Sequence, residues 1–95
     1  MKKYEAMFII KPDLGEDDKK TLFSQISEVI TKNGGQVNSA NIWAERKKLY
    51  FPLKRYKEGT YYLVNFAAPG EVLSKVENNY KMNESILRDL IVAME

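Results

Sequence analysis

Apolar and polar positions partly alternate from Tyr4 to Ile10, with Tyr4, Ala6, Phe8 and Ile10 on one parity. That period predicts a strand with one buried face. Lys11-Pro12-Asp13 closes it, because proline cannot continue a hydrogen-bonded ladder. The period then changes. Over Glu16–Lys32, Leu22, Phe23, Ile26, Val29 and Ile30 recur at helical spacing and make one apolar stripe. Glu16, Asp17 and Asp18 fall in the first turn, where they complement the helix dipole. Asn33-Gly34-Gly35 supplies the stop, with a glycine for a left-handed cap.

Gln36–Phe51 reads as a long strand with Val37 and Trp43 on one parity, Leu53–Gly59 as a hairpin connection, and Thr60–Ala67 as the returning strand. Pro69 opens a second helix, Gly70–Tyr80, whose stripe is Val72, Leu73, Val76 and Tyr80. Ile86–Met94 is the last strand, and its run Leu90–Met94 is apolar enough to expect burial.

The element order is β-α-β-β-α-β. Two right-handed crossovers with both helices on one face predict an α+β, ferredoxin-like split βαβ sandwich. Its four-stranded antiparallel sheet would run in the order 4-1-3-2, with the second face uncovered. Tyr61 and Tyr62 lie on opposite faces of the third strand, so one of them should look away from the helices.

The chain has 95 residues, which fits a single domain spanning 1–95. It contains neither cysteine nor histidine. Disulfides and thiolate metal sites are excluded, and so are the usual general base and the usual metal ligand. The serines have no histidine partner, so a serine hydrolase triad is excluded. Glu16-Asp17-Asp18 point about 100° apart on a helix and converge poorly on a cation. No enzyme activity, cofactor, metal or small-molecule substrate is expected. The apolar run Ala6–Ile10 is too short for a secretory core or a membrane span, which points to a cytoplasmic protein with no membrane partner.

Charge adds the one strong asymmetry. The stretch Ala44–Gly59 holds Arg46, Lys47, Lys48, Lys54, Arg55 and Lys57 against Glu45 and Glu58, a local net charge of +4 on a chain of net +2. Tyr50, Phe51 and Tyr56 are interleaved with the cations, and Tyr61 follows. Cations attract phosphate and aromatic faces stack on bases or ribose, so a polyanion site is one reading. A solvated hairpin whose lysines keep a sheet edge from aggregating is the other. Gly59–Phe66 matches the signature of an RRM-type RNA reader poorly, because Gly59 stands where a basic residue belongs and Tyr62 where a small one does.

The chain resembles, over essentially its whole length, the family of the sixth protein of the bacterial small ribosomal subunit. Lys2-Lys3-Tyr4-Glu5 is similar to the family's basic-x-Tyr-Glu opening. Lys11-Pro12-Asp13 is similar to its first strand end, and Asn33-Gly34-Gly35 to its first helix stop. Trp43-Ala44-Glu45-Arg46 and Leu49-Tyr50-Phe51-Pro52-Leu53 resemble its Trp-Gly-x-Arg and Leu-Ala-Tyr-Pro-Ile segments. Gly59-Thr60-Tyr61, Ala68-Pro69 and Ile86-Leu87-Arg88 also fall in place. Departures are Ala44 for the usual glycine, one extra residue before Leu49, and Tyr50 for a small alanine.

The resemblance implies a structural ribosomal protein with the ferredoxin-like fold. It would bind 16S rRNA as a heterodimer with the eighteenth small-subunit protein. Lys2, Lys3, Arg46, Lys47, Lys48, Lys54 and Arg55 are then the candidate phosphate contacts, and Tyr4, Tyr50 and Phe51 the candidate stacking or ribose contacts. The alternative kept open is a ferredoxin-like regulatory domain that binds a small ligand or self-associates through its open sheet face.

Overall fold

The alternation at the start of the chain builds the centre of the sheet. The computed structural model describes residues 1–94, and Glu95 lies outside the described residues. Strand β1 (Lys2–Ile10) buries Tyr4, Ala6, Phe8 and Ile10 on one side. Helix α1 (Glu16–Lys32) lays Leu22, Ile26 and Ile30 on that side, with Phe23 and Val29 packed at its margin. The helix ends in a Schellman motif: Gly34 is left-handed (φ +82°), Gly35 N–H donates to Ile30 O at 2.9 Å and Gly34 N–H to Thr31 O at 3.1 Å.

Strands β2 (Gln36–Leu53) and β3 (Tyr56–Ala68) form a long hairpin. A 3₁₀ turn (Gly70–Val72) leads into α2 (Leu73–Lys81), which buries Val76 and Tyr80, and β4 (Ile86–Met94) completes the sheet. The sheet order is β2-β3-β1-β4 with every neighbouring pair antiparallel, as the element order predicts. Tyr62, Val64, Phe66 and Ala68 of β3 complete the core against β1 and both helices.

Among the described residues, no helix covers the other face. Cross-strand pairing sets its side chains in rows running across the sheet. One row is Asn41–Leu63–Met7–Leu90 and the next is Ser39–Asn65–Glu5–Val92. Leu90, Val92 and Met94 are exposed there, so the expected burial of the whole run Leu90–Met94 does not occur. Strand β4 is an edge strand with one covered face, and alternation sends every second apolar residue to the uncovered one.

Four further features differ from the sequence reading. The hairpin connection is not Leu53–Gly59; it is the two residues Lys54 and Arg55, with strands running up to both. Pro52 does not end its strand, because β2 is at the sheet edge, where a missing N–H costs no ladder bond. Trp43 does not share the helix-facing side of Val37. Register shifts between Val37 and Ser39 and between Ile42 and Ala44 turn it to the open face. The second helix starts as a 3₁₀ turn and becomes α-helical only at Leu73.

Candidate nucleic-acid interface

The basic stretch owes its shape to the hairpin. Ile10 pairs with Thr60, so everything between β2 and β3 beyond Thr60 projects past the end of β1. At the tip, Lys54 and Arg55 both have positive φ, 47° and 75°. That pair of left-handed residues is the signature of a type I′ turn, the geometry that matches strand twist in a two-residue hairpin. Arg46 also has a positive φ of 47°, at the register shift between Ala44 and Lys47.

Contacts with the body of the domain steady the hairpin. Tyr56 Oη donates to Asp13 Oδ2 at 3.3 Å. Lys19 Nζ on α1 sits 3.2 Å from Glu16 Oε1 and 3.3 Å from Glu45 Oε1, joining α1 to β2. The hydrogen bond that Lys19 donates to Glu16, reinforced by Glu45, holds its ammonium above its ordinary pKa. Arg46 Nη1 reaches Glu58 Oε1 at 3.1 Å.

These pairs redistribute the charge. Both acids of the block, Glu45 and Glu58, are engaged by cations. Among the described residues, Lys47, Lys48, Lys54, Arg55 and Lys57 have no carboxylate partner. Five cations therefore face solvent with nothing to offset them. Tyr50 is 99% exposed and Phe51 beside it is also exposed, so two aromatic rings stand in water among the lysines. Lys47 Nζ lies over the Trp43 ring, 4.4 Å from its centroid, and 5.6 Å from that of Tyr61.

The ten candidates separate into three places. Arg46, Lys47, Lys48, Tyr50, Phe51, Lys54 and Arg55 gather on the hairpin. Lys2 and Lys3 lie at the opposite end of the sheet, where Lys3 pairs with Ala67. From Ala67 to Tyr56 along β3 is about 35 Å at strand rise. Tyr4 is in the core: its ring is buried and stacks on Phe66 at 5.4 Å, which leaves no face for a base. Its parity with Ala6 and Phe8 carries that signal in the sequence. Lys57, Trp43 and Tyr61 belong beside the candidates and are absent from them. Lys57 sits inside the basic block, whereas the two rings come together only through the bulges in β2.

Among the described residues no three acidic side chains gather as a metal site, and no helix is long and apolar enough to cross a membrane. The surface can neutralise phosphates and stack on flat rings.

A split βαβ sheet with a protruding, cation-rich hairpin defines a binding scaffold. The chain's relatives fit that class. The family description "Ribosomal protein S6" matches residues 3–93. The small ribosomal subunit protein bS6 of Dictyoglomus turgidum is 39% identical over 95 residues, covering all of this chain and 97% of that protein. The bS6 protein of Campylobacter hominis is 38% identical over 95 residues, covering all of this chain and 65% of that longer protein. The crystal structure of 30S ribosomal protein S6 from Thermotoga maritima superposes with a TM-score of 0.89 at 26% identity, covering 98% of this chain and 87% of that one. The chain belongs to the ribosomal protein S6 family. Proteins of this family are structural, non-catalytic components of the small subunit of the cytoplasmic ribosome. Membership decides against the regulatory-domain alternative.

Proposed function

We propose that this domain binds 16S rRNA together with the eighteenth small-subunit protein, with the hairpin on phosphates and the open sheet face toward the protein partner. The observation that carries this reading is the set of cations Lys47, Lys48, Lys54, Arg55 and Lys57. They stand without carboxylate partners among the described residues, on a hairpin that reaches past the core. Lys2 and Lys3 serve as a second, distant phosphate contact. Arg46, held by Glu58, fixes the hairpin's shape.

Support for a protein on the open face comes from Leu90, 57% exposed, with Val92 and Met94 exposed beside it. Met7 and Leu63 continue the same surface inward. A contiguous apolar strip of this kind on a small domain marks an interaction site.

A filter-binding titration against small-subunit rRNA, with the partner present, tests the proposal. Engaging about four to six phosphates makes affinity fall roughly 10²–10³-fold between 50 and 200 mM salt. A flat salt response overturns it.

A further inference from the structure

We infer that Trp43, Tyr61 and Lys47 form a stacking site for an unpaired nucleotide of the bound RNA. The inference rests on the rRNA-binding reading above and adds base contacts to its phosphate contacts. Trp43 is 54% exposed on the helix-free face, next to Tyr61 at 5.7 Å between centroids and a 59° interplanar angle. Tilted rings of this kind leave the Trp43 indole a face toward solvent. The Lys47 ammonium lies 4.4 Å from the Trp43 centroid.

Charge chooses the occupant. The two carboxylates nearest in sequence, Glu45 and Glu58, are held by Lys19 and Arg46. Lys47 is therefore an ammonium on an aromatic platform, paired only with ring electrons among the described residues. A nucleotide satisfies both parts at once. Its base has a π face for the indole, and its phosphate accepts from the ammonium, which need only swing off the ring. Stacking of this sort demands a base free of its duplex partners. The site thus selects single-stranded nucleotides, a preference that bare phosphate contacts lack.

Trp43 is the chain's only tryptophan, so its emission reports on this site alone. The probes are a ten-nucleotide uridine RNA and a ten-base-pair RNA duplex, titrated into the whole chain. Quenching by the single strand and much less by the duplex is expected. Trp43→Ala should weaken single-strand binding roughly tenfold, Trp43→Phe should restore most of it, and Lys47→Met should weaken it severalfold.

If the single strand binds, loses affinity in Lys54→Gln and Arg55→Gln, yet leaves Trp43 emission unchanged, the stacking site is overturned while the hairpin reading stands. Equal quenching by strand and duplex overturns it too. Emission that responds to the eighteenth small-subunit protein and not to RNA gives the rings to a protein partner and overturns it. A strand that neither binds nor quenches at millimolar concentration also removes this site, and the salt titration with structured rRNA then judges the hairpin separately.

Discussion

The Tyr80 hydroxyl donates a 2.7 Å hydrogen bond to the main-chain carbonyl of Ile26, fastening α2 to the middle of α1 inside the core. The Tyr80 ring meets Phe8 edge-on at 4.8 Å and 84°, so one side chain locks both helices to β1. Tyr80→Phe keeps the ring packing and removes the hydrogen bond, and should cost about 1 kcal/mol. Burial raises the Tyr80 hydroxyl well above the ordinary value of 10.0, and raises Tyr62 in the same direction. The folded state thus favours the neutral phenols. Their contribution is complete below pH about 10 and is lost as pH rises above it, because the unfolded chain's tyrosines ionise first. Alkaline melts should show a shallower decline in Tyr80→Phe than in the parent chain. A parallel decline refutes the assignment.

The turn at Lys54 and Arg55 sets stability against binding. Both residues hold left-handed backbone that asparagine and glycine adopt more readily. Lys54→Asn combined with Arg55→Gly should stabilise the fold by roughly 1 kcal/mol. The same pair should weaken RNA binding and flatten its salt dependence, since two cations are gone. Lys20→Ala, on the exposed side of α1, should alter neither. Denaturant midpoints and filter binding on the three proteins check this.

Tyr61 and Tyr62 separate surface from core. Tyr62 stacks on Phe23 at 3.9 Å and 8°, and is buried. Tyr62→Ser should lower stability by roughly 3 kcal/mol through the cavity it opens. Tyr61→Ser should leave the melt nearly unchanged and weaken binding of single-stranded RNA, because its ring belongs to the stacking site. Calorimetric titration with the ten-nucleotide uridine RNA, run beside thermal melts, distinguishes the two. If Tyr61→Ser binds the strand as the parent does, Tyr61 is no part of that site.

Gly35 tests the close approach of α1 to the sheet. A Cβ there would lie 2.8 Å from the Ala67 carbonyl oxygen and 2.7 Å from Ile30 Cγ2. Gly35→Ala should cost roughly 2 kcal/mol, because a backbone oxygen cannot move aside. Gly15→Ala meets open space and should be near neutral. Urea melts of the two variants decide it.

Much of the fold is legible in the sequence. The first strand and the first helix follow the periodicity residue by residue, because each packs one regular face on the core, whereas the last strand keeps its bounds but not the burial its apolar run suggests. The hairpin was less legible. Pro52 reads as a stop unless β2 is known to be an edge, and Lys54-Arg55 carries no turn residue to announce it. Trp43 was missed for a related reason: period-two reasoning holds only while pairing stays in register, and β2 shifts register repeatedly. Tyr4 erred the other way. It sits beside Lys3 in sequence, but alternation sends the two to opposite faces. The basic character of the site was written in composition, whereas its division by the Arg46–Glu58 and Lys19–Glu45 pairs needed three dimensions.

Lys3 pairs with Ala67 on one side and with Met94 on the other. Strand β1 is therefore an inner strand of the sheet, and it waits for β4, which follows it by about seventy-five residues. While the chain is being translated, β1 carries one bare edge until residues 86–94 have cleared the exit tunnel. Cooperative closure waits for β4, and a nascent chain halted before it holds an open ladder that invites aggregation. The uncovered face matures on the same schedule, because β4 supplies one of its four strands. Copies halted before β4 lack that strand, so only chains that carry it present the whole uncovered face.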